Sequence, residues 1–372
     1  MSKTTKLSQK LPWNYLRYVL ALLIWLIGFF PNLLSHIYTP LIFRPLSKVL
    51  RYISGLVTFS IGEWVYLGLI ITLIFSILNW IWINYLHFRD GSFWKHQLVR
   101  WLNILTVLYI VFELCWGLNY QKLNPSKDFN LQVPSIYTEK QMDSLSLSLI
   151  QELNITREKI SDFEAKNLHF ESISSKIGAE FKEISKIRPF LHYAPSSVKV
   201  ANFPSWGDYL GYTAFYHPIT GEAIIRGDLP VLTQAFTISH EMAHQLGYAS
   251  EEEANFIAFV IGTESKDPIV QYSTQLQMFT YAQYAHLQFI VKRGDFKLYQ
   301  EMVERNKKLL HPSVIEDRKF IRNFFLKKQD LQIKGSSEMY NQFLLWNKQA
   351  RGIESYEDVL LWALAYKSKK NP

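Results

Sequence analysis

Three long, almost uncharged apolar runs occupy the first third of the chain, and mixed polar–apolar periodicity fills the rest. The first run is densest over residues 18–34 (YVLALLIWLIGFFPNLL), inside a stretch with no Asp, Glu, Lys or Arg up to Phe43. The second covers residues 64–86, and the third, residues 101–118, carries Glu113. A run of about 18 or more apolar residues is long enough to cross a bilayer as a helix, and Trp and Tyr crowd the run ends as they do at membrane interfaces. The pattern predicts three transmembrane helices in a membrane domain of residues 1–120. Glu113 is an ionisable group within a predicted span, a functional candidate by its position. Between the first two runs, RPLSKVLRYISGLVTF (residues 44–59) sets apolar residues at helical spacing with basic ones between them. That is the pattern of a helix lying along a membrane surface.

From about residue 123 the periodicity becomes that of a folded domain, predicted to run to residue 372. Helical patterns cover TEKQMDSLSLSLIQEL (138–153) and FESISSKIGAEFKEISKI (170–187). SSVKVANF (196–203) reads as a strand. Residues 207–230 read as a hairpin or edge strand with turns at His217–Pro218 and Thr220–Gly221. Further helices are expected around 251–263, 269–292, 295–309, 315–328, 336–349 and 355–368. The fold class is therefore mostly α: three N-terminal transmembrane helices, then an α+β domain with a small edge-strand sheet and a helical C-terminal part.

Charge refines this picture. Residues 1–120 hold ten Lys/Arg against Glu63, Asp90 and Glu113, whereas the remainder holds 30 basic against 29 acidic residues. The excess belongs to the membrane part, so it points to a lipid bilayer and not to nucleic acid. Lys3, Lys6, Lys10 and Arg17 precede the first run, and Arg89, Lys95 and Arg100 follow the second. Only Arg44, Lys48 and Arg51 lie between the first two. The bias predicts an N-terminus inside and a C-terminal domain outside the cytoplasm. Cys115 is the sole cysteine, which excludes an internal disulfide and a thiolate metal site.

The candidate chemistry lies in TISHEMAHQLGYASEEEANFIAF (237–259). Residues four apart share a helix face, so His240 and His244 aim two imidazoles at one point, with Glu241 beside them. This is the zinc-hydrolase pattern: two ligands, and a general base that takes the proton of a water attacking a carbonyl. A third protein ligand is required. The position six residues after His244 is Ser250, which excludes a third histidine there. Glutamate zincins draw the ligand from the following helix, and EEEAN (251–255) offers it. Ser250 and Glu253 have capping-box spacing, which gives Glu253 a structural task. Glu251 shares a small-residue face with Ala254, Asn255, Ala258 and Gly262, a face suited to close approach to the HEMAH helix. Glu251 is thus the expected ligand, Asn255 the expected partner of a ligating imidazole, and Glu252 the solvated member of the trio. An edge at TGEAII (220–225) could pair with an extended substrate. Tyr272, Tyr281 and His286 on a later helix are candidates to stabilise an oxyanion.

WGLNY (116–120), YHPITGEA (216–223), HEMAHQLG, EEEAN and GIESY (352–356) resemble an uncharacterised bacterial membrane family, domain of unknown function 3810, over nearly the whole chain. The resemblance implies a membrane-anchored, glutamate-zincin-like domain and no particular substrate. The expectation is a multi-pass protein of the bacterial inner membrane that uses Zn2+ to hydrolyse a peptide or protein substrate. The alternative is a catalytically idle zincin fold serving binding or assembly. An idle copy has no need of Glu241.

Overall fold

The computed structural model describes residues 11–87, 91–329, 331–333, 335 and 356–370. They are mostly helical, with one small sheet. The helix expected at 336–349 and most of GIESY lie outside the described residues. The chain divides into two compact units, Met1–Leu46 with Trp64–Leu123, and Ser47–Glu63 with Asn124–Pro372.

In the first unit, α4 (Ile61–His87, its first turn excepted) and α5 (Gly91–Cys115) each contain a 23-residue segment long and apolar enough to cross a membrane, Ile61–Ile83 and Phe93–Cys115. Their large apolar side chains face outward, as contact with lipid requires. The first apolar run differs from expectation. Helix α1 (Leu11–Ile27) stops after 17 residues, about 25 Å, short of a hydrocarbon core of about 30 Å. Gly28 weakens the helix, and the Pro31 ring would clash with the carbonyl four residues earlier. The chain then bends by 98° between Tyr15–Ile27 and Pro31–Gly55. The short α2 (Pro31–Leu33) leads into a π-helical stretch, Leu34–Phe43, which contains Pro40. Among the described residues, two helices thus qualify as spans, and a third only if the bent pair counts as one. At the end of α5, WGLNY forms a tight 3₁₀ turn, Gly117–Gln121. The Tyr38 hydroxyl donates to the Leu114 carbonyl at 3.0 Å, and Phe43 packs against Trp116.

The second unit begins with most of α3 (Arg44–Gly55). Residues 47–63 fold with this unit, although 44–59 were expected only to lie along a membrane surface. α6 (Pro125–Asp128), α7 (Glu139–Arg157), α8 (Asp162–Asn167) and α9 (Phe170–Ser185) follow. Capping boxes at Thr138–Gln141 and Ser161–Glu164 start α7 and α8. The sheet holds β1 (Val198–Val200), β2 (Ala214–His217) and β3 (Glu222–Ile225) in the order β1-β3-β2. β3 is parallel to β1 and antiparallel to β2. TGEAII is therefore no edge: β3 is the central strand and buried throughout, and β2 is an edge. The start of the expected hairpin is instead helix α10 (Pro204–Leu210), closed by Gly211 in the left-handed region at φ 83°.

α11 (Val231–Gln245) carries HEMAH through the middle of the unit, packed on β2, β3 and α9. α12 (Glu251–Glu264) and α13 (Pro268–Lys292) flank it, followed by α14 (Phe296–Leu309), α15 (Pro312–Gln329) and α16 (Tyr356–Lys370). The apolar core runs through α7, α9, α11, α12, α13 and α16. Gly262 ends the small-residue face of α12, but it meets α13: a Cβ there would fall 1.9 Å from Thr274 Oγ1.

Candidate metal centre

The end of α11 is shaped by Gly247. Its φ of 91° suits glycine, and it turns the chain so that Gly247 and Tyr248 amides bond the His244 and Ala243 carbonyls. The same turn brings the Tyr248 carbonyl oxygen within 2.6 Å of His244 Nδ1. Across the turn, Ser250 caps α12 by accepting from the Glu253 amide, and the Glu253 carboxylate accepts from the Ala249 amide at 3.1 Å. Glu251 and Asn255, one turn apart on α12, then both face α11.

Asn255 Oδ1 lies 2.9 Å from His240 Nδ1. With both Nδ1 atoms engaged, the Nε2 atoms turn towards Glu251, 3.2 Å from its Oε2 for His240 and 3.9 Å from Oε1 for His244. One ligand atom from each of His240, His244 and Glu251 lies within 4.8 Å of the others, an arrangement that could hold a metal ion. A hydrogen bond to the far ring nitrogen fixes tautomer and ring orientation, the usual support of a ligating imidazole.

Glu241 is buried beside this cluster, and among the described residues its Oε2 has no hydrogen-bond partner. Burial raises its carboxyl to about 8; the Glu251 charge adds to this and His240 opposes it. Burial would lower His240, but the hydrogen bond and charge of Glu251 override it and raise the imidazole to about 9. Burial and the His240 charge push His244 down to about 4.

Gln245 anchors the end of α11 to the sheet. Its side-chain amide donates to the Ser197 and Gly221 carbonyls at 2.9 and 2.6 Å, and its Oε1 accepts from the Tyr193 hydroxyl at 2.5 Å. Its backbone carbonyl accepts from Ser47 Oγ at 2.7 Å. At the other end, Arg226 bridges Asp208 and Asp228 at 2.6 and 2.8 Å and so holds α10 against the loop that enters α11. Sequence reasoning missed Gln245 and Tyr248. A backbone acceptor leaves no side-chain signature, and Gly247 was the only available sign of the turn.

Not every candidate joins the cluster. The Tyr272 hydroxyl donates to Asp317 at 2.8 Å, within a buried network that includes Arg157. His286 faces Glu139 and Asp143 at 3.7 and 3.5 Å. Tyr281 packs against the apolar core. Glu113 is buried in the first unit. Glu252, expected in solvent, is part-buried.

No curated protein and no solved structure matches the chain. A family profile described as "Protein of unknown function (DUF3810)" matches residues 38–364. That match covers most of the chain, which therefore belongs to the DUF3810 family.

Proposed function

We propose that the chain is a membrane-anchored zinc metallopeptidase of the glutamate-zincin type. Its zincin-like domain stands on the extracytoplasmic side of a bacterial inner membrane. The observation that carries this reading is the convergence of two Nε2 atoms and one carboxylate, each imidazole held from behind by Asn255 or the Tyr248 carbonyl.

The residues fit the ion. Two imidazole nitrogens and one carboxylate oxygen form the three-ligand set of a hydrolytic zinc site, which leaves a position for water or substrate. His240, His244 and Glu251 would hold the zinc, which supplies Lewis-acid activation when bound. Glu241 does the proton work. Among the described residues its buried Oε2 has no hydrogen-bond partner, and with the cation bound the ionised carboxylate would take a proton from the attacking water. The same carboxyl then returns a proton to the leaving amine. α11 and α12 are rigid elements, so base and ligands keep their mutual geometry through the cycle.

The test is hydrolysis of a peptide library by the purified full-length protein and by Glu241→Gln. Wild type is expected to cleave. Glu241→Gln is expected to retain metal and lose rate by about 10²–10⁴-fold, the usual share of general-base help. Equal rates in the two proteins would overturn the assignment and favour an idle, binding or assembly role.

A further inference from the structure

Helix α3 is docked the wrong way round for a helix of a water-soluble domain. Ser47, Arg51 and Ser54, spaced along one side, are each 3% exposed or less. Ser47 donates to the Gln245 carbonyl, and the Ser54 and Ser197 hydroxyls are 2.7 Å apart. The Arg51 guanidinium donates to the Pro195 carbonyl at 2.9 Å and stacks 4.6 Å above the Tyr193 ring. Residues turn by about 100° each around a helix, which sets Val49, Tyr52 and Ile53 opposite that side, and Leu56 follows the helix end. These four are 54–71% exposed. The polar face is spent on the protein, and the apolar face points away from it.

Two features say what covers that face. Only Leu56 to Ser60 separate α3 from α4, and five residues reach at most about 18 Å, so α3 lies close to the point where the chain enters a bilayer-length helix. That junction is also tied down. The Glu222 carboxylate accepts from the amides of Ile61, at 2.9 Å, and Gly62, and the Glu63 carboxylate accepts from the amides of Asn202 and Phe203. Lys48, exposed at the margin of the apolar face, supplies positive charge for anionic headgroups.

We propose that Val49, Tyr52 and Ile53 of α3, with Leu56 just after it, lie in the headgroup–acyl boundary of an anionic bilayer. The helix then acts as a sole on which the second unit rests. Ser47 grips the carbonyl of the residue after His244, so the candidate metal centre is braced directly from the lipid surface. This inference does not depend on the peptidase reading, because its test reads depth and not activity.

The test uses full-length protein with Cys115→Ser in nanodiscs of phosphatidylglycerol and phosphatidylethanolamine. Single cysteines replace Tyr52, Leu56 or the exposed Phe163 of α8 and carry a bimane label. Lipids spin-labelled near the top of the acyl chain are expected to quench bimane at positions 52 and 56 several-fold more than at 163. Quenching at 52 and 56 no stronger than at 163 overturns the proposal. So does efficient disulfide cross-linking of Leu56→Cys between two copies, which would put a second protein chain on the face in place of lipid.

Discussion

His240 Nδ1 and Asn255 Oδ1 stand 2.9 Å apart, a hydrogen bond that joins α11 to α12 across 15 residues of sequence. With a metal bound, this bond would keep the proton on Nδ1 and leave Nε2 to ligate. Asn255→Ala frees the ring to rotate and removes that preference. The variant is expected to fold and to bind zinc about 10–100-fold more weakly, as loss of such a partner does elsewhere. Competition with a chelator of known affinity measures this, and unchanged affinity would show that the bond does not position the ligand.

The three adjacent glutamates separate by role. Glu251→Ala should remove tight zinc binding, because Glu251 alone of the three faces both imidazoles. Glu253→Ala should retain zinc but lose about 1 kcal/mol of stability, since its carboxylate serves the turn before α12. Glu252→Ala should retain zinc as well. Metal stoichiometry and melting temperature of the three variants decide it; metal lost with Glu253 and kept without Glu251 would shift the ligand by two residues.

Acid sensitivity is expected from His217. Burial holds its imidazole down at about 4 against an ordinary 6.5. Its Nδ1 accepts from the Thr220 amide at 3.2 Å, so the ring is neutral in the fold. Between these two pH values the unfolded chain binds more protons than the folded one, so stability falls as pH drops through that window. His217→Gln should flatten the fall in melting temperature between pH 6.5 and 4. A variant with the wild-type slope would assign the effect elsewhere.

Much of the site was legible because its logic is helical. The four-residue step from His240 to His244, and again from Glu251 to Asn255, places partners on one face whatever the rest of the fold does. Ser250 and Glu253 were legible as a cap for the same local reason. The misreadings are tertiary. EAII reads as an edge when taken with its flanking turns, but a short apolar run also fits a strand covered on both sides, and the parallel pairing with β1 decides between them. Residues 47–59 displayed an amphipathic helix, yet nothing local says that Ser47, Arg51 and Ser54 find buried partners 140 to 200 positions away. The break at Gly28 and Pro31 was visible as residue types and outweighed by the apolar run around it.

The basic residues set an expectation for topology. Lys3, Lys6, Lys10 and Arg17 before the first run, with Arg89, Lys95 and Arg100 after the second, outnumber those between them. A reporter fused after Pro372 should therefore be extracytoplasmic. A cytoplasmic reporter would mean that the bent pair, Tyr15–Ile27 with Pro31–Gly55, does not cross the membrane.

Metal content tests the central claim most directly. Elemental analysis of the purified full-length protein is expected to give one zinc per chain for wild type and for Glu241→Gln, and none for His240→Ala. Wild-type protein that takes up no zinc, or His240→Ala protein that binds as much as wild type, would contradict the account.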